Sequence, residues 1–221
     1  MKRRTLLTAG GGALVALGAG WMISRPDAPN PLLPGAANAQ AAEGTLPQIT
    51  DMVQGNPDAA VEVIEYASFT CPHCASFHAN AYQSLKANYI DTNKIRFVYR
   101  EVYFDRPGLW ASMIARCAET PEFFFGFAGL LYEKQREWLA SGDPAGVIDA
   151  LRTMGKTAGL SDADLDACLS DAAKAEALYT WYQDNAAQDG VNSTPSFMIN
   201  GEKYSNMAYD EFASVLDEKL S

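Results

Sequence analysis

Residues Phe69-Thr70-Cys71-Pro72-His73-Cys74 follow closely on the apolar run Val61-Glu62-Val63-Ile64-Glu65-Tyr66. A run of that kind reads as a central strand covered on both faces, and it delivers a Cys-x-x-Cys pair to the start of a helix. From Cys74 onward Phe77, Ala81 and Leu85 recur at helical spacing, with Lys86 and Asn88 outward. His78, on the same helix, reads as a partly buried residue. Lys94 to Phe104, rich in Ile, Phe, Val and Tyr, reads as a second strand. Strand, helix, strand is one βαβ unit, parallel and right-handed by default.

Beyond Pro107 the strand signal stops. Leu109, Met113, Ile114 and Cys117 mark one amphipathic helix, and Pro121 opens a second that runs from Phe123 to Trp138. Asp143-Pro144 opens a third, and Ser161-Asp162 caps a fourth that continues toward Leu178 and Trp181. This block, 107–189, reads as a helical insertion large enough to carry its own small core. Strand character returns at Pro195 to Ile199, followed by the hairpin signal Asn200-Gly201 and then Glu202-Lys203-Tyr204. Tyr209 to Leu220 closes with an amphipathic helix. The chain is thus of α/β class. Residues 49–106 and 190–221 form one domain, β-α-β and then β-β-α, around an insertion of about four helices.

The 221 residues carry a net charge of −10, which argues against a nucleic-acid partner, since phosphate binding needs a basic surface. Lys2-Arg3-Arg4, the mild apolar stretch 5–23 and Ala37-Asn38-Ala39 read as an export signal over 1–39. The arginine pair followed by Leu6-Leu7 resembles a twin-arginine signal, although Lys2 stands where a Ser or Thr is usual. An ordinary secretory signal fits as well, and so does an uncleaved anchor, because residues 5–23 are nearly long enough to span a bilayer. Residues 40–48 read as a disordered linker. Without 1–39 the chain keeps 13 basic against 26 acidic residues, net −13. Export places the body in an oxidising compartment, the periplasm.

The chemistry follows from position. Cysteine reacts as thiolate, and the unpaired amides of a helix start favour an anion, so Cys71 is the acidic, attacked sulfur. Pro72 suits the first helical position, where its missing N–H costs nothing. His73, exposed beside the sulfur, adds a donor and partial positive charge. Cys74, on the buried stripe with Phe77, is the resolving cysteine. Glu65 is out of place in an apolar strand and reads as a buried acid beneath the pair that relays the Cys74 proton. The pair needs no cofactor beyond its own disulfide. Zinc or Cu(I) held by the same two sulfurs is the competing use, but the two histidines lie beside the pair and further ligands would have to come from Cys117 or Cys168.

These residues resemble the DsbA family of thioredoxin-fold thiol:disulfide oxidoreductases. The resemblance rests on Glu65, Phe69-Thr70-Cys71-Pro72-His73-Cys74, the helical insertion and Thr194-Pro195. It implies a thioredoxin fold and a cis peptide at Pro195 packed against the active disulfide. It also implies that the Thr194 backbone pairs with the bound substrate chain. It further implies an oxidase of unfolded or reduced exported proteins, reoxidised by a quinone-linked membrane partner; the chain itself reads as a monomer. Thr194 also precedes the proline in reductive and isomerising members, so a reductase or isomerase is the alternative. Two further cysteines, Cys117 and Cys168, lie on apolar helix faces, and export favours a structural disulfide between them. Phe69, Trp110 and Trp181 read as core, with an apolar groove for unfolded chains as their other use.

Overall fold

β2 (Glu62–Ala67) is the central strand because it is covered on both faces: every residue from Val63 to Ala67 is buried. In the computed structural model, which describes residues 45–221, β2 pairs in parallel with β3 (Arg96–Glu101) and antiparallel with β4 (Ser196–Ile199). Outside these lie β1 (Met52–Gly55) against β3 and β5 (Glu202–Ser205) against β4, both antiparallel. The sheet order is β1-β3-β2-β4-β5. The two edges are only four residues long, which leaves little open backbone for another chain to pair with. Alternation along β2 sorts its side chains. Val63 and Ala67 enter the large core on one face, whereas Ile64 and Tyr66 join a smaller cluster with Val98, Val102 and Met198 on the other. Glu65 therefore lies on the large-core face, between Tyr99 and Phe197 of the neighbouring strands.

The strand β1 has no counterpart in the sequence reading. Only Met52 of its four residues is buried, so it carries no apolar run. It ends at Gly55, whose φ of +80° suits glycine and whose Cβ would stand 2.3 Å from the Ile95 carbonyl oxygen. The helix after Cys71 also differs from the single element expected. It is α1 (Pro72–Ala79) and α2 (Ala81–Leu85), followed by a π turn over Lys86–Ile90. The break is at Asn80, whose side chain donates to the Ser76 carbonyl at 2.8 Å while its backbone leaves helical angles. An Asn competing with the backbone ladder is a known cause of such breaks.

Between β3 and β4 run α3 (Arg106–Ala115), α4 (Pro121–Glu133), α5 (Gln135–Trp138), α6 (Pro144–Thr157), α7 (Asp162–Ser170) and α8 (Ala172–Gln188). Six helices stand where four were read. The second is divided at Lys134, and the fourth at Asp171, whose carboxylate caps α8 by accepting from the Lys174 amide at 2.9 Å. Asp105, Thr120, Asp143 and Ser161 cap α3, α4, α6 and α7, the last with a full capping box. The insertion has no core of its own. Leu151 and Leu165 belong to the same cluster as Val63 and Phe97. A buried ion pair ties the two parts: Arg116 donates to both oxygens of Glu101 at 2.5 and 2.7 Å, and to the Thr50 carbonyl at 3.0 Å. α9 (Tyr209–Leu220) packs Phe212 and Leu216 into the main core.

The expected export segment 1–39, and the linker as far as residue 44, lie outside the described residues; 45–48 carry no regular structure. Among the described residues no helix is long and apolar enough to cross a membrane.

Cys117, just past α3, is bonded to Cys168 of α7, with 5.8 Å between the Cα atoms. The bridge spans a sequence separation of 51, for which the chain-entropy model gives about 4 kcal/mol. Replacing both cysteines by alanine is expected to lower the unfolding free energy by about 2–5 kcal/mol in denaturant titrations. A variant as stable as the parent would remove the bridge from the account of the insertion's stability.

Candidate active site

Cys71 is the N-cap of α1, in extended conformation, with Pro72 as the first helical residue. The Ala75 amide donates to its carbonyl at 3.2 Å, as the first turn requires. Its Sγ lies 3.5 Å from the carbonyl oxygen of Thr194, and the Thr194–Pro195 peptide is cis. The topology makes this meeting: β2 and β4 are neighbours, so the loop before β4 faces the loop after β2. Cys71 is partly exposed, Cys74 is buried, and both are free thiols.

The two sulfurs differ sharply in acidity. Cys71 is drawn down to about 5, first by the hydrogen bond from the Cys74 thiol, with help from the amides of Cys74 and His73, against the opposing effect of burial. Thr194 Oγ1 is buried and has no hydrogen-bond partner among the described residues. Its hydroxyl therefore stands outside bonding geometry to the sulfur, and Cys74 carries the larger share. Cys74 is pushed far above the ordinary thiol value by burial, by its bond to Cys71 and by the negative charge of Glu65. The His73 amide is one of the donors to the sulfur, and its ring is exposed beside it.

Glu65 is fully buried, and its partner is His78, whose Nε2 is 3.0 and 3.1 Å from the two carboxylate oxygens. His78 is thus not a passive helix residue. It is buried and stacked on Tyr132, with ring centroids 4.2 Å apart, and it lies 4.4 Å from the Tyr82 ring. The spacing held the clue: His78 lies four residues after Cys74, so one face of α1 carries both. Phe69 and Trp110 are core residues, whereas Trp181 is partly exposed and stands near the Arg100 and Arg116 guanidinium groups.

One contact comes wholly from the insertion. Gln135 of α5 is buried, and its amide donates to the Phe69 carbonyl at 2.9 Å and the Cys71 carbonyl at 3.0 Å. Nothing in the polar run Lys134-Gln135-Arg136-Glu137 marks that residue as different from its neighbours. On the other side Thr70 Oγ1 donates to Asp105 at 2.9 Å, and Asp105 accepts from the Gly108 amide, so the cap of α3 also holds the loop. Among the described residues no group of three or more His, Cys, Asp or Glu is placed to hold a metal ion.

Because the Cys74 thiol is the main donor to the Cys71 sulfur, Cys74→Ala is expected to raise the Cys71 midpoint well above about 5, read from alkylation rate against pH. An unmoved midpoint would assign the acidity to the helix amides instead. Gln135→Ala leaves two loop carbonyls without their donor, and a loss of about 1–3 kcal/mol is expected on thermal or denaturant unfolding.

A family model described as thioredoxin matches residues 47–218. A Rickettsia bellii relative, named for protein-disulfide oxidoreductase activity, is 34% identical over 170 residues, covering 77% of this chain and 64% of that protein. The chain thus spans less than two thirds of that relative's length. Disulfide bond formation protein D of Bacillus subtilis is 24% identical over 176 residues, 76% of each chain. Among solved structures, alpha-DsbA1 of Wolbachia pipientis superposes with a TM-score of 0.72 at 26% identity, covering 79% of this chain and 93% of that one. The oxidised BdbD of Bacillus subtilis gives 0.68 at 22%, over 77% and 92%, a likeness of fold. The chain belongs to the thioredoxin family, with the architecture of its DsbA-like members.

Proposed function

We propose that this protein is a thiol:disulfide oxidoreductase that introduces disulfides into exported polypeptides in the periplasm through Cys71–Cys74. The observation that carries the reading is the contrast between the two sulfurs, Cys71 held down to about 5 and Cys74 held far up. A thiolate that stable makes the reduced form of the pair the favoured one, and so makes the disulfide an oxidant. It also makes Cys71 a good leaving group. The names of the relatives, for protein-disulfide oxidoreductase activity and disulfide bond formation, agree with this reading.

The cycle uses the residues in order. A substrate thiolate attacks Cys71 Sγ, the Cys71–Cys74 bond breaks, and Cys74 departs with the electron pair and takes up a proton. The substrate is then joined to Cys71 in a mixed disulfide, its backbone lying beside the Thr194 carbonyl as an added strand. A second substrate thiolate attacks the substrate sulfur of that bond. The substrate leaves oxidised, and Cys71 leaves as thiolate. Glu65 serves as the proton acceptor and donor for Cys74. A quinone-linked membrane partner fits the need for reoxidation, and the single thioredoxin unit fits a monomer.

The reduced protein carries the same acidity as stability. A folded-state value below the ordinary thiol value of 9.0 gives a contribution complete above pH 9, shrinking as pH falls and gone below about 5.

Equilibration with glutathione buffers reads the Cys71–Cys74 potential. We expect a value far nearer the roughly −120 mV of the strong oxidant in this family than the roughly −270 mV of thioredoxin. A value at the thioredoxin end would replace the oxidase with a reductase of the same fold, and Thr194 before the proline would then be read that way too.

A further inference from the structure

Among the buried groups that the cycle leaves unused, His78 has the most unusual surroundings. Its Nε2 meets both oxygens of Glu65, a carboxylate with no exposure at all. Glu65 in turn acts on Cys74 through its charge. On its other side His78 lines a groove of about 1310 Å³ between α1–α2 and α4–α5, together with Pro72, Tyr82, Tyr132 and Gln135. The pair therefore joins the buried end of the redox site to solvent without passing the Cys71 surface, which a bound substrate would cover.

We infer that His78 is the positioning residue for Glu65. Its Nε2–H holds the carboxylate aligned as the base for Cys74. The inference rests on the thiol–disulfide reading of Cys71–Cys74. The step it governs is the closing of the disulfide from a mixed disulfide on Cys71. Cys74 loses its proton to Glu65 and attacks Cys71 Sγ. The bond from Cys71 to the bound thiol breaks, the Cys71–Cys74 bond forms, and the departing thiol leaves with the electron pair as thiolate. Glu65 then loses its proton to solvent. In the opposite direction the same carboxyl returns a proton to Cys74 as it leaves.

A buried carboxylate with no donor is costly to keep charged, and the His78 ring supplies that donor. The other titratable groups facing the pair are few. Cys74 comes from α1, Tyr82 from α2, Tyr99 from β3 and Tyr132 from α4. The three phenols are raised above the ordinary value, chiefly by burial, and stay neutral across the physiological range. Gln54 accepts from Tyr82 at 2.7 Å, and Gln83 donates to the His78 carbonyl at 3.0 Å, so neither supplies a charge. Lys86, Glu122, Glu133, Arg136 and Glu137 line the groove with charges of both signs.

The test uses the reduced full chain and oxidised glutathione, in single turnovers quenched with acid and read by mass. The first phase, Cys71 attacking glutathione disulfide, needs no proton transfer through Glu65 and His78. The second, loss of glutathione as Cys74 closes the bond, does. His78→Phe is expected to slow the second phase by at least 10-fold and leave the first within 2-fold, since general-base catalysis contributes roughly 10²–10⁴-fold. His78→Gln, which keeps an N–H donor to Glu65, should recover most of the rate, as a positioning role requires and a mere packing role does not. The double variant with Glu65→Gln should be no slower than Glu65→Gln alone, because the two residues act in one path. Equal second-phase rates in parent and His78→Phe would overturn the inference, as would a His78→Gln variant as slow as His78→Phe. Failure of the parent to react with glutathione disulfide would instead remove the oxidoreductase reading itself.

Discussion

A negative sulfur at the first turn of a helix is the constraint on which the arrangement depends. The first turn of α1 leaves amides unpaired, and Cys71 stands where those of His73 and Cys74 reach its sulfur. That turn must start at the end of a strand buried on both faces, or the backbone would shift with solvent. It must also face a second loop with no amide hydrogen to compete for the same space, and Pro195 meets that condition beside Thr194. The central place of β2 and the antiparallel seat of β4 satisfy both demands.

The helical insertion serves this site more directly than a cover would. Gln135 takes the carbonyls on either side of Thr70, Asp105 holds the Thr70 hydroxyl, and Tyr132 closes on the His78 ring. Tyr132 also shares a 2.5 Å hydrogen bond with Tyr99 of the sheet. The insertion and the sheet are therefore one packing unit, which the Glu101–Arg116 pair also joins. Removing one partner of such a buried pair would strand a charge, so it fixes how the two parts meet more than it adds stability.

Much of this was open to reading in the chain. The apolar run to Tyr66, the Cys71-Pro72-His73-Cys74 pattern, Asn200-Gly201 and the cap residues Asp143 and Ser161 each carry a local physical signature, so strand, helix start, hairpin and insertion could be placed without coordinates. β1 escaped because three of its four residues are not buried, and a short edge strand shows no periodicity. The division of the first helix escaped because an Asn at position 80 is compatible with either continuing or breaking, and only its bond to Ser76 decides. The insertion reads as a separate body in the sequence because its helices are amphipathic; what their apolar faces meet is the same core as the sheet.

By itself the sequence determined which atoms could react: two cysteines three apart at a helix start, a carboxylate in an apolar strand and a proline late in the chain. The order of those elements, and the chemical classes they exclude, follow from local patterns because strand and helix periodicity are written residue by residue. Only the tertiary structure decided the acidity of each sulfur, since Cys71 and Cys74 have the same intrinsic chemistry and differ by burial and by the neighbours packed against them. It also decided that His78, the histidine outside the motif, meets the buried acid. A side chain's partner across 13 residues is set by which face of the sheet a helix covers, and no local pattern carries that.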